Sequence, residues 1–182
     1  MSQVYIFLAP GFEEIEGLTV VDLMRRAGID ITTVSILSTR EVIGAHHIPV
    51  TADILFSGRD FSDADMLLLP GGGPGTCNLE AFQPLKDLLI KFHQDGHYIG
   101  AICAAPMILG HLGFLKGKRA TCYPGFEKDL VGASPVTDPV VVDGKIITSR
   151  GLGTAIDFSA ALIELLTDPE TAVRIKEEIQ YK

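Results

Sequence analysis

Three short, almost wholly apolar runs constrain this chain most: Val4–Leu8, Met66–Leu69 and Tyr98–Ile102. Each reads as a strand, Met66–Leu69 being continuous enough to be buried on both faces, and such runs alternating with amphipathic segments are the habit of a mostly parallel sheet covered by helices. The segments between them carry helical periodicity, over Glu13–Ala27, Phe82–Gln94 and Pro106–Leu112. Gly28 suits the helix stop after Ala27, and Pro106 is tolerated in a first turn. Ile29–Leu37 reads as a second strand, and Ala120–Tyr123 as a short one. Val140–Ile147 reads as a hairpin about an Asp143-Gly144 turn. Glu41–Thr51 reads as a small hairpin outside the main sheet. Helices are expected over Gly153–Leu166 and again from Asp168-Pro169, with Asp168 as the cap. No repeat or linker breaks the 182 residues, so one domain over 1–182 is expected.

The composition narrows function. Fifteen basic against twenty-three acidic residues give a net charge of −8, which argues against nucleic acid as the main partner. No apolar run is long enough to span a membrane, and Val4–Leu8 is too short for a signal-peptide core. Three cysteines without a C-x-x-C pattern favour a reducing, cytoplasmic setting over a disulfide framework.

In open α/β sheets, ligands bind beyond the carboxyl ends of the strands. Three segments converge there: Ala9–Glu16, Pro70–Thr76 and Ile102–Pro106. Cys103 sits where strand turns to helix among small residues, the placement of a nucleophile elbow, and the following helix favours a thiolate. The competing reading is a buried cysteine acting as a small hydrophobe. Glu16 adds weight to the first. At about 100° per residue it falls on the apolar face with Val20, Leu23, Met24 and Ala27, where a carboxyl must be paired or protonated. Its alternative is a glutamate at the edge of that face, with its tip in water. Glu14 falls with Asp22, Arg25 and Arg26 on the solvent side, and Glu13 and Glu14 suit the first helical turn without a special role.

Pro70–Thr76 lacks the Lys-[Ser/Thr] of a phosphate loop and the G-x-G-x-x-G spacing. Its glycines serve either an oxyanion hole or a tight turn without a ligand. His93 and His97 are separated by Gly96 and do not suggest a shared metal. His46 and His47 would point to opposite faces if they lay in a strand. Cys77 and Cys122 have no metal-ligand spacing. Ile15 and Leu18 lie on the solvent side of the first helix, apolar residues without an evident partner.

Five stretches, Leu8–Glu16, Met24–Ile29, Leu69–Gly72, Ala101–Pro106 and Thr148–Thr154, run in an order that resembles the ThiJ/PfpI family over nearly the whole chain. The resemblance implies a flavodoxin-like (class I glutamine amidotransferase-like) α/β fold, no cofactor or metal, and a homodimer, which Ile15 and Leu18 of the first helix would serve. It places the reactive cysteine on Cys103, a protonated glutamate on Glu16, and oxyanion-hole amides on Gly72 and Ala104. The histidine that follows the nucleophile in the protease-like branch is Ala104 here. The histidine near the cysteine in the deglycase branch is replaced by Tyr123, a residue able to donate a hydrogen bond to a bound carbonyl. The expected function is therefore a cysteine-dependent glyoxalase or deglycase acting on a small reactive aldehyde or a glycated adduct, not a protease. The alternative is an oxidative-stress sensor or chaperone-like protein working through oxidation of Cys103. No thiazole-phosphate site supports the thiamine-biosynthesis label attached to the family.

Overall fold

The computed structural model describes residues 2–182. The chain opens with strand β1 (Gln3–Leu8), helix α1 (Glu14–Arg26) and strand β2 (Asp30–Ser35). Short strands β3 (Glu41–Ile43), β4 (Pro49–Thr51) and β5 (Ile54–Leu55) lead to β6 (Met66–Leu69). Helices α2 (Gly73–Ala81) and α3 (Gln83–Gln94), strand β7 (Tyr98–Ile102) and helix α4 (Pro106–His111) follow. The last third holds β8 (Arg119–Ala120), β9 (Ser134–Pro135), β10 (Val140–Asp143), β11 (Ile146–Ser149), α5 (Ala155–Leu166) and α6 (Pro169–Glu178).

Among the described residues, seven strands form one sheet in the order β10-β11-β7-β6-β1-β2-β5. All its pairings are parallel except the β10–β11 hairpin. The apolar runs explain this directly. β1, β6 and β7 are central strands, and their alternate residues feed two separate cores. Ile6, Leu68 and Ile102 pack with α1 and α5 residues such as Met24 and Phe158 on one face. Phe7, Leu67 and Ala101 pack with Leu85, Leu89 and Ile108 of α3 and α4 on the other. Gly100 leaves room for α5 to approach β7, since a Cβ there would lie 2.6 Å from Leu68 and 3.1 Å from Phe158.

The expected hairpin over Glu41–Thr51 is the separate β3–β4 ribbon. His46 and His47 lie in its turn rather than in a strand, and His47 takes a left-handed φ of +62°. Asp168 caps α6 by accepting from the Thr171 N–H at 2.7 Å. The strand expected over Ala120–Tyr123 is instead Arg119–Ala120, paired with Ser134–Pro135. A further difference concerns the glycine-rich stretch. Only Pro70–Gly72 forms the turn, and Gly73 begins α2, with Pro74 in its first turn. Glycine is a poor helix former, but Gly75 lets α2 pack on the Gly11-Phe12 backbone, where a Cβ would come within 2.6 Å of Phe12. Tertiary packing overrides the local propensity.

Candidate active site

The carboxyl ends of β6, β7 and β11 meet the start of α1, and Cys103 stands at their centre. Its φ of +66° lies in the left-handed region, which costs a non-glycine residue about 1–3 kcal/mol. The surrounding backbone holds it there. The Cys103 N–H donates to the Ser149 carbonyl at 3.0 Å, and its own carbonyl accepts from the Tyr123 N–H at 2.8 Å. The elbow read from the sequence is therefore a real backbone feature, and the thiol is half-buried.

Glu16 is 1% exposed and lies against this thiol. Its Oε2 accepts from the Gly71 N–H at 3.0 Å, and the Leu152 backbone and the Cys103 thiol lie against the same carboxyl. Burial pushes the Glu16 carboxyl up to about 7, against the thiol, which favours its charged form, while the Glu13 charge pushes it further up. Burial also pushes the Cys103 thiol up, to about 12, together with the neighbouring Glu16 carboxylate and the hydrogen bond to it. The Gly72 and Ala104 amides face the sulfur and act in the opposite direction. Whether the proton rests on sulfur or on oxygen is thus decided jointly by burial, the facing carboxyl and these two amides. The two groups titrate as one pair, in which a single negative charge is shared and the proton can lie on oxygen or on sulfur.

Two glycines make this closeness possible. A Cβ on Gly71 would lie 2.3 Å from Glu16 Oε2 and 2.4 Å from the Cys103 Cβ. Gly72, at φ +89°, would drive a Cβ to within 2.4 Å of the Gly11 carbonyl oxygen. At the mouth, a Cβ on Gly151 would sit 3.3 Å from the Tyr123 ring, 3.6 Å from Glu16 Oε1 and 3.8 Å from Cys103 Sγ. Tyr123 and Leu152 are both about half exposed there. The structure thus brings Cys103, Glu16, Gly72 and Ala104 together, with Tyr123 at the rim. Gly71, Gly151 and Leu152 belong to the same place, and sequence reasoning did not assign them roles. Gly71 lay inside the flagged glycine run, whereas nothing local marks the Leu152 amide.

Glu14 departs from its expected solvent face: it is 3% exposed. The turn after β3 covers it, with His46 N–H and Ile48 N–H donating to Oε1 at 2.8 and 3.4 Å, and His46 Nδ1 at 3.0 Å from Oε2. Glu13, Glu14 and His46 bring potential metal-ligating atoms within 4.8 Å of one another. Both Glu14 oxygens are already engaged, and the three residues form a clasp between α1 and the hairpin. His93 and His97 stack on Phe114 and Phe92, with centroids 4.1 and 4.6 Å apart. Cys77 is exposed and Cys122 buried, the latter pushed up to about 11 by burial and by the charge of Glu127. A cavity of about 500 Å³, lined by Ser2, Gly28 and Asp65 among others, opens at the amino ends of the strands, away from Cys103. Among the described residues, no helix is long and apolar enough to cross a membrane.

Comparison with known proteins agrees with this geometry. Residues 2–165 match the DJ-1/PfpI family. The chain is 41% identical over 176 residues to protein DJ-1 homolog B of Arabidopsis thaliana, covering 96% of this chain but 40% of that protein. The chain thus spans about two fifths of the length of that relative. It is 31% identical over 160 residues to the glutathione-independent glyoxalase DJR-1.2 of Caenorhabditis elegans, covering 87% of this chain and 84% of that one. The crystal structure of a mutant of a DJ-1 superfamily protein from Salmonella typhimurium superposes with a TM-score of 0.95 at 36% identity, over the whole of both chains. With the parallel sheet and the cysteine elbow in place, these matches show that the chain belongs to the DJ-1/PfpI family.

Proposed function

We propose that this protein is a cofactor-independent glyoxalase or deglycase that converts methylglyoxal, glyoxal or their early adducts to 2-hydroxy acids. The observation that carries the reading is the buried Glu16 carboxyl set against the Cys103 thiol, with the Gly72 and Ala104 amides facing the same sulfur. A relative named as a glutathione-independent glyoxalase supports the reaction class.

The chemistry follows from the placement. As the Cys103 sulfur attacks the aldehyde carbon, its proton passes to Glu16, which burial makes a competent acceptor near neutral pH. The aldehyde oxygen gains charge and is held by the Gly72 and Ala104 amides, while Tyr123 donates to the neighbouring carbonyl. Glu16 passes the thiol's proton on to the new hemithioacetal oxygen and is again a carboxylate. It then takes the proton from the hemithioacetal carbon and returns it to the former ketone carbon, while the hydroxyl proton moves from the first oxygen to the second. The first carbon is oxidised to a thioester and the second is reduced to an alcohol, so the step balances without an outside oxidant. Water cleaves the thioester, releasing lactate from methylglyoxal, or glycolate from glyoxal, and restoring the thiol.

The working unit in this reading is a homodimer. Ile15 and Leu18 are 51% and 38% exposed on the helix that carries Glu16, and a two-fold axis there would cover them with the same face of a second copy.

The test is lactate formation from methylglyoxal by the wild type, Cys103→Ser and Glu16→Gln, with a glycated thiol as a second substrate. Turnover by the wild type, lost in both variants, is the expected result. A second reading, a redox sensor, rests on the half-exposure of Cys103 beside donors that could hold sulfinate oxygens. Peroxide-dependent oxidation of Cys103 without any lactate would favour it and sink the enzyme.

A further inference from the structure

The clasp between the β3–β4 turn and the start of α1 is built more tightly than a surface turn requires. Every hydrogen bond to the Glu14 side chain comes from residues 46–48. Gly44 presses against the same carboxylate, and a Cβ there would lie 2.2–2.5 Å from its atoms. The turn is stitched further by Ala45 N–H donating to the Phe12 carbonyl at 2.8 Å, and by Gly11 N–H donating to Ile43 at 2.8 Å. From there a short relay reaches the candidate active site. Glu13 N–H donates to the Gly71 carbonyl at 2.9 Å, and Gly71 N–H donates to Glu16 at 3.0 Å.

One side chain in this relay can change charge near neutral pH. The His46 ring is 66% exposed, with Nδ1 at 3.0 Å from Glu14 and 3.5 Å from Glu13. Among the described residues these two carboxylates are the charged groups that face it, and His47 is its neighbour in the turn. Glu13 in turn is the charge that bears on Glu16. We propose that His46 is a positioning residue for the Glu16–Cys103 pair: its imidazolium bridges Glu13 and Glu14, holds the turn on α1, and lowers the negative potential under which the pair ionises.

The direction follows from the contacts. The hydrogen bond to Glu14 and the charges of Glu13 and Glu14 push His46 up from its ordinary value. The imidazolium's contribution to the clasp is therefore fully present below that ordinary value and is lost as pH rises through the raised one, while the backbone hydrogen bonds remain. While His46 is charged, it offsets Glu13, and the pair gives up its first proton more readily. Once His46 is neutral, Glu13 acts unopposed and resists that ionisation. The proposal rests on the enzymatic reading only for its effect on turnover. The electrostatic link stands on the structure alone.

The experiment is the pH profile of Cys103 alkylation by iodoacetamide, followed by peptide mapping to separate Cys103 from Cys77 and Cys122. His46→Arg keeps a permanent charge and His46→Gln removes it. The first alkylation step should be centred at lower pH in His46→Arg than in His46→Gln, by about 0.5 pH unit, the size expected of a partly screened charge pair. Sedimentation of each variant checks that assembly is unchanged. Midpoints that coincide within about 0.1 pH unit, or that fall in the reverse order, overturn the proposal, the tolerance being small against that expected separation. The reciprocal measurement needs no His46 variant. By linkage, Glu16→Gln should lower the His46 ring pKa followed by NMR in otherwise native protein, and an unmoved titration also overturns it. Neither readout uses an aldehyde substrate, so absent lactate formation would refute the enzyme while leaving this link to be judged by its own data.

Discussion

Replacing Glu16 by Gln should make the protein more stable at neutral and alkaline pH while removing its proposed activity. The Glu16 carboxyl is pushed from 4.5 to about 7 in the folded protein, chiefly by burial. The native state therefore binds a proton that the unfolded chain releases, and stability falls as pH rises from about 4.5 to about 7. At about 1.4 kcal/mol per pH unit, that interval corresponds to a loss of about 3 kcal/mol by pH 8. The unfolded Cys103 thiol, with an ordinary value of 9.0, keeps its proton across this range, so the window reports the first proton lost by the folded pair. A glutamine keeps an oxygen for the Gly71 N–H but carries no charge to bury. Urea unfolding of both proteins at one concentration, repeated from about pH 5 to pH 8, should show the Glu16→Gln advantage growing with pH toward about 2–3 kcal/mol. Fixed concentration matters because assembly stabilises by mass action. Curves that run parallel across this range would refute the claim that the folded site holds Glu16 protonated in mildly acidic solution.

Three further outcomes are expected. Gly100→Ala forces a Cβ to within 2.6 Å of Leu68 and 3.1 Å of Phe158, and should lower unfolding free energy by about 1–3 kcal/mol in urea titration. Asp168→Ala removes the cap on the Thr171 N–H and should cost about 1 kcal/mol, read as a lower thermal midpoint without loss of alkylation at Cys103. Ile15→Asp with Leu18→Lys should turn a sedimenting dimer into monomer at micromolar concentration; a dimer untouched by both changes places the interface elsewhere.

Much of the frame was legible from local pattern. β1, β6 and β7 read as strands of a mostly parallel sheet because their apolar runs alternate with amphipathic segments, and a strand buried on both faces needs layers on both sides. Cys103 stood out by its place between strand and helix, and Glu16 by helical periodicity, since each signal lies within a few residues of sequence. What the sequence did not contain was any sum over distant neighbours. Periodicity put Glu14 in solvent because it reports only the faces of one helix, whereas the turn that covers Glu14 lies about thirty residues further along. The helix at Gly73–Ala81 contradicts local glycine propensity and exists because α2 packs closely on Gly11-Phe12. The coupling of Cys103 and Glu16 was set the same way. A helix terminus is a local feature that favours thiolate, but desolvation and a facing carboxylate are properties of the assembled site, and only tertiary structure brings them within reach of the sulfur.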